Sequence, residues 1–383
     1  MWGFLRVFFV SETTKCAVFV VFIVPLRWFY VKRLSERIMK IQFQCDYNEG
    51  CAPEILSALA RTNMEQNVGY GEDPHCDNAR RLIREACKAP QADVHFLVGG
   101  TQANATVISS ILRPYQGVVA AETGHIAVHE TGAIEHGGHK VIALPAKEGK
   151  ITAAQIRHCV AGHYAEDGPE HTVQPGMVYI SYSTEFGTLY SLKELEEIHD
   201  VCVEFGLPLF IDGARLGYGL ASPASDVTLP LLARLADVFY IGGTKQGALF
   251  GEAVVFANPV LAKDFRYCIK QGGGMLAKGR LLGVQFETLM QDDLYLRLAR
   301  HAVSEATRIR EVLLAKGYPE AVASPTNQLF FTLPDKDLAK LSAHFLFSVW
   351  GKPDQEHTTI RICTSWGTLP ENTDKLIAAL KGI

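Results

Sequence analysis

Short apolar runs alternate with longer stretches of helical spacing through most of this chain. The runs at 94–98, 117–121, 140–144, 177–181, 207–211 and 237–241 are each five residues long. They are rich in Val, Ile, Leu and aromatic residues, as strands buried on both faces should be. Between and around them, 77–88, 102–112, 152–165, 192–205 and 229–235 carry apolar residues every three to four positions. Strand and helix alternating at this spacing predict βαβ units and a mostly parallel sheet sandwiched by helices. A long helix over 294–316 then leads to strands at 328–333 and 358–363 and a last helix at 371–381, which reads as a smaller C-terminal α/β domain.

Two of the predicted strands end in reactive side chains. The run 237–241 is followed by Gly242-Gly243-Thr244-Lys245, and the run 207–211 by Asp212-Gly213-Ala214-Arg215. Ligands of open parallel sheets gather outside the carboxyl ends of the strands. A lysine desolvated there loses proton affinity and becomes a nucleophilic amine. An acid on a neighbouring strand end is placed to pair with a pyridinium nitrogen, so together the two point to a pyridoxal phosphate site. Taken singly, Lys245 is also a plausible solvated loop residue and Asp212 a plausible turn aspartate. The strand at 94–98 runs into Gly99-Gly100-Thr101 and a helix, a setting in which free amides and the helix dipole attract a phosphate. No GxGxxG or GxxxxGK[ST] pattern directs that site to dinucleotides or nucleoside triphosphates.

Gly-Gly-Thr-Gln-Ala-Asn (99–104), Ile-Asp-Gly-Ala-Arg-Leu (211–216), Gly-Gly-Thr-Lys (242–245) and Gly-Gly-Gly-Met (272–275) occur in that order. Together they resemble the pyridoxal-phosphate-dependent threonine aldolase and β-eliminating lyase family, of aspartate-aminotransferase-like fold type I. The likeness runs from about residue 41 to the C-terminus. It implies a seven-stranded-type sheet in which 253–257 is the antiparallel strand. It further implies that Lys245 holds the cofactor aldehyde, Asp212 pairs with the ring nitrogen and His125 stacks on the ring. Gly100 and Thr101 would bind the phosphate, Arg215 the cofactor's phenolic oxygen or the substrate, and Arg361 the substrate carboxylate. Cys45 stands where the family commonly carries a serine or asparagine that helps hold the substrate, and Gln246 where close relatives often carry asparagine. The implied reaction is retro-aldol cleavage of an L-3-hydroxy amino acid such as threonine or allo-threonine, with His125, His129 or water as base. β-Elimination or transamination would use the same Lys245, Asp212 and Arg361, and a non-catalytic pyridoxal-binding regulatory module is the remaining alternative. The glycine loop near 272–274 approaches a neighbouring subunit in the family, so a homodimer or homotetramer is expected; Lys270, Lys278 and Arg280 take no assigned contact.

Composition narrows the picture further. The net charge of −4 over 383 residues, with no long basic run, argues against a nucleic-acid partner. The nine cysteines form no CxxC pair, which fits free thiols in a reducing, cytoplasmic compartment. His125, His129, His136 and His139 lack an HExxH order, and no metal is expected. Glu185, after the strand at 177–181, reads as a solvated loop acid, a general base being the alternative. Residues 1–38 differ from the rest: the apolar run 16–26 is too short for the ~20 residues of a membrane span. The segment reads as an upstream extension with function beginning near Met39, a leader or anchor being the alternative; no membrane role is expected of the catalytic part. The expected organisation is an extension (1–38), an active-site arm (39–55), a large cofactor domain (56–290) and a small C-terminal domain (291–383).

Overall fold

The computed structural model describes residues 40–383, and the expectations for residues 1–38 lie outside them. Seven strands build the main sheet: β1 (Asp93–Leu97), β2 (Gln116–Ala121), β3 (Val141–Leu144), β4 (Gln174–Ser181), β5 (Leu209–Asp212), β6 (Val238–Gly242) and β7 (Glu252–Phe256). Their order is β1-β7-β6-β5-β4-β2-β3. The neighbours from β6 to β3 are parallel, and β7 lies antiparallel to both β1 and β6. The expected antiparallel strand is therefore present, shifted by one residue.

Side-chain alternation explains why the strands read as continuous apolar runs. On β6, Phe239 and Ile241 enter one core with Ile180 and Ile211, while Val238 and Tyr240 enter another with Tyr179 and Phe210. Both faces of the sheet are covered, so the strand interiors are mostly apolar and the charged residues fall mainly at the strand ends. The flanking helices carry local start signals. Asp73 caps α1 (Pro74–Cys87) by accepting from the Cys76 N–H at 2.9 Å. Helix α2 (Gly100–Ile111) follows β1, and Ser191 and Glu194 form a capping box at α3 (Leu192–Phe205).

Among the helices not anticipated is α4 (Arg280–Leu289), whose buried Leu282, Phe286 and Leu289 pack into the first core. The Gly- and Lys-rich stretch before it masks its periodicity. A Cβ on Gly283 would meet the Cys76 amide nitrogen at 2.5 Å, so glycine is what lets α4 and α1 approach this closely. Lys270 and Arg280, read in sequence as parts of a glycine loop, belong to helices. Lys270 ends the helix Phe265–Gln271 and lies over the Tyr70 ring at 4.9 Å, while Arg280 donates to the Thr62 and Asn63 carbonyls at 2.5 and 3.0 Å. Lys278 is exposed.

The long helix α5 (Leu294–Ala315) leads to a second, antiparallel sheet of β8 (Glu320–Val322), β9 (Gln328–Pro334), β10 (Ser348–Gly351) and β11 (His357–Cys363), in the order β10-β11-β9-β8. Its own core joins Leu329, Phe331 and Ile360 to Ile309 of α5 and to Leu376 of α6 (Pro370–Lys381). The arm contributes Phe43 to that core, with Ile41–Gln42 paired in parallel to Phe345–Leu346. No helix among the described residues is long and apolar enough to cross a membrane.

The close approach of β5 and β6 beyond their ends depends on Gly213. A Cβ there would lie 1.7 Å from the Tyr240 carbonyl oxygen. Gly213→Ala should therefore push the two strand ends apart and cost about 3 kcal/mol or more, measured as a lowered thermal or urea midpoint.

Candidate active site

A cavity of about 200 Å³ opens at the carboxyl ends of β1, β4, β5 and β6. Gly100, Thr101, His125, Asp212, Arg215 and Lys245, all singled out in the sequence, line it together. Arg361 and Cys45 are not part of that lining; both sit on the side where the arm meets the second sheet.

Lys245 is half-buried. Burial lowers its proton affinity, the Arg215 guanidinium lowers it further, and Asp46, Asp212 and Glu252 oppose the change without cancelling it. The segment around it is fixed from below: Glu252 accepts from the Gly243 N–H at 3.0 Å and from the Thr244 hydroxyl at 2.8 Å. The Tyr218 hydroxyl donates to the Lys245 carbonyl. Gln246 is buried, and with its amide oxygen toward Gly217 it accepts that N–H at 2.8 Å, so it braces the helix Leu216–Leu220.

Asp212 is buried at the end of β5, in register with Ser181 of β4. It accepts from the Tyr179 hydroxyl at 2.6 Å and the Asn104 amide at 3.0 Å, and from the Ala214 N–H at 2.9 Å. Burial alone would raise its pKa; the nearby His125 and the Tyr179 hydrogen bond outweigh that and hold it below the ordinary value. His125 stands at the start of a single helical turn, His125–Val128. Its Nδ1 lies 2.8 Å from Glu130 Oε1 and its backbone N–H donates to Glu185 Oε1 at 2.9 Å. Against the lowering effect of burial, the Glu130 bond raises the His125 pKa. His129, 5.7 Å away between ring centres, moves down through burial and the His125 charge.

Glu185 is not the solvated loop acid expected of it. It is buried, accepts from the Ser181 hydroxyl at 2.8 Å, and burial raises its pKa. At the opposite wall Gly99 precedes α2 with no side-chain cap, so the first amides of the helix face the cavity without an internal partner.

Arg215 forms a two-pronged pair with Asp46, Nε to Oδ2 at 2.7 Å and Nη2 to Oδ1 at 3.0 Å. Two of its nitrogens are thus engaged before any ligand arrives. Asp46 is fully buried and also accepts from Asn327 at 2.9 Å; burial raises its pKa, but Arg215 and Lys245 win and set it at about 2. Arg361, on β11, donates to the Gln44 carbonyl at 3.0 Å and stacks on Trp350 at 5.5 Å, while its Nε is buried without a partner. The Cys45 thiol donates to Asn48 at 3.1 Å and burial raises its pKa. Asp46, Asn104, Glu130 and Glu252 were missed in the sequence. Asn104 lay inside the motif Gly-Gly-Thr-Gln-Ala-Asn and Glu130 directly after His129, without a signal for their partners.

Comparison with known proteins adds four findings. A family model described as beta-eliminating lyase matches residues 42–335. The low specificity L-threonine aldolase of Pseudomonas aeruginosa is 34% identical over 71% of this chain and 78% of its own length. The threonine aldolase structure from Leishmania major is 45% identical, covers 89% of this chain and 99% of that one, and superposes with a TM-score of 0.87. Aspartate aminotransferase of Thermus thermophilus, 13% identical with a TM-score of 0.67 over 95% of this chain, shares the fold alone.

Two outcomes follow from these electrostatics. Asp46→Asn leaves Arg215 buried without its counter-charge and should cost about 3 kcal/mol in chemical denaturation. Burial pushes the Glu252 carboxyl up to about 7. Because the folded value exceeds the unfolded one, the folded state binds the extra proton and stability falls as pH rises from the unfolded value toward 7. Glu252→Gln should remove about 3 kcal/mol of that decline, visible as a flatter plot of unfolding free energy between pH 5 and 7.

Proposed function

We infer, because this chain belongs to the β-eliminating lyase family, that it is a pyridoxal-phosphate-dependent threonine aldolase. It cleaves the Cα–Cβ bond of an L-3-hydroxy amino acid, L-threonine or L-allo-threonine, to glycine and acetaldehyde. The observation that carries this reading is the pairing of Lys245, an amine of lowered proton affinity, with Asp212, an acid held ionised, in one cavity at adjacent strand ends.

The residues fit the cofactor in three places: the uncapped start of α2 for a phosphate, Asp212 for a protonated ring nitrogen, and Lys245 for an aldehyde. When bound, pyridoxal phosphate supplies that aldehyde and a ring that accepts the electron pair released at Cα. Lys245, its proton affinity lowered by burial and by the Arg215 charge, offers a lone pair at Nζ once deprotonated and can later return a proton to Cα. Asp212 keeps the ring nitrogen protonated through charge and hydrogen bonding. His125 covers the cavity and excludes water from it.

Arg361 would take the substrate carboxylate. Its planar guanidinium suits two parallel bonds, and its partnerless Nε is a donor still to be satisfied. His129 is the better base for the β-hydroxyl proton. Its lowered pKa leaves it neutral near pH 7, whereas Glu130 favours the protonated form of His125. Proton transfer from the hydroxyl to His129 accompanies loss of the aldehyde. Assembly as a homodimer or homotetramer is part of the same proposal, supported by the exposed Tyr70, Val260 and Tyr267.

Purified protein incubated with L-threonine, L-allo-threonine and L-serine should release glycine and aldehyde from the first two; ammonia and keto acid instead would make it an eliminating lyase. Borohydride reduction followed by peptide mapping should find the pyridoxyl group on Lys245, and Lys245→Ala should lower kcat/KM by more than about a thousandfold. A label on any other side chain sinks the assignment.

A further inference from the structure

Two buried side chains lie between His125 and Asp212, and neither lines the cavity. Asn104, on α2, donates from one amide nitrogen to both carboxylates around it: to Glu130 Oε1 at 2.8 Å and to Asp212 Oδ2 at 3.0 Å. The same Glu130 oxygen lies 2.8 Å from His125 Nδ1. Asn104 and Glu130 are buried, and Asn104 Oδ1 and Glu130 Oε2 have no partner. The orientation of the amide follows from chemistry. Turned over, its oxygen would face two acceptor oxygens, so only the NH₂ group serves this position. Because Glu130 Oε1 accepts from Asn104, the proton in its bond to His125 must come from Nδ1, which leaves Nε2 as the nitrogen that gains or loses a proton.

We propose that Glu130 and Asn104 are positioning residues that join His125 to Asp212 in one hydrogen-bonded chain, fixing the tautomer of the former and the orientation of the latter's carboxylate. The catalytic meaning of this chain rests on the function proposed above, but its geometry does not. A buried carboxylate oxygen bonded to Nδ1 and itself held by the Asn104 amide keeps the imidazole in one rotamer, as a carboxylate behind a working histidine does. The other groups facing His125 are Glu185 at its backbone N–H, His129 at its ring, and Asp212 and Lys245 across the cavity. Of these, Glu130 alone bonds the ring directly. Removing it should therefore lower the His125 midpoint. The loss then reaches Asp212, whose ionised form is favoured by the His125 charge.

The test is side-chain NMR of the histidines in cofactor-free protein, run beside steady-state kinetics of the holoenzyme. In Glu130→Gln the His125 midpoint should move down and its Nδ1 proton should no longer be protected from exchange. Meanwhile kcat/KM for L-threonine should fall about tenfold. Glu130→Asp, which keeps the charge, should recover part of both and serves in its place if Glu130→Gln does not fold. Asn104→Ala should leave the His125 midpoint near the wild-type value and still lower kcat/KM about tenfold. A folded Glu130 variant with an unmoved His125 midpoint overturns the proposal, as does an Asn104→Ala enzyme with wild-type kinetics. Failure of the wild type to cleave threonine would refute the proposed function and leave the NMR comparison standing.

Discussion

The pair formed by Asp46 and Arg215 is the contact on which this architecture turns. Asp46 belongs to the arm, Arg215 follows β5, and Asn327, the third partner, immediately precedes β9 of the second sheet. Three segments distant in sequence thus converge on one buried carboxylate. Burying two charges is costly, and the two parallel N–H···O bonds with the Asn327 amide are what offset it. The pair gives the arm a fixed height above the strand ends, which in turn places Gln44 against Arg361. It also brings a cation near Lys245, one of the reasons that amine holds its proton loosely.

Charge in the cavity is arranged in pairs pulling opposite ways. Asp46 and Asp212 stay ionised despite burial because cations and donors face them, whereas Glu185 and Glu252, also buried, have raised pKa values. His125 and His129, one helical turn apart, move in opposite directions: burial lowers both, but a carboxylate bonded to the first outweighs it, whereas the charge of the first adds to it at the second. Environment rather than residue type divides the roles.

The sheet was legible because a strand buried on both faces leaves a compact apolar run, and the reactive ends of β5 and β6 stood at the boundaries of such runs. The start of α2 could be read from Gly99-Gly100-Thr101 for a similar local reason. Asn104 and Asp46 could not be read, because Asn104 bonds Glu130 and Asp212, 26 and 108 residues away, and Asp46 bonds Arg215, 169 residues away, and a polar residue in a helix or turn carries no mark of a distant bond. Glu185 misled for the opposite reason: a loop acid after a strand is ordinarily wet, and only the fold shows that the Ser181 hydroxyl and the His125 amide close around it. Helix α4 was hidden by its flanks rather than by its own pattern.

The position of β7 also bears on how the molecule comes into being. In the main sheet β1 is an edge strand whose only neighbour is β7, although about 150 residues separate them in the chain. Pairing so remote is slow, because a long loop must close before any bond rewards it. During synthesis, β2 to β6 can assemble while β1 waits for its mate. The wall of the cavity that carries Gly100 and Thr101 is consequently a late arrival, joining strand ends that already carry Asp212 and Lys245.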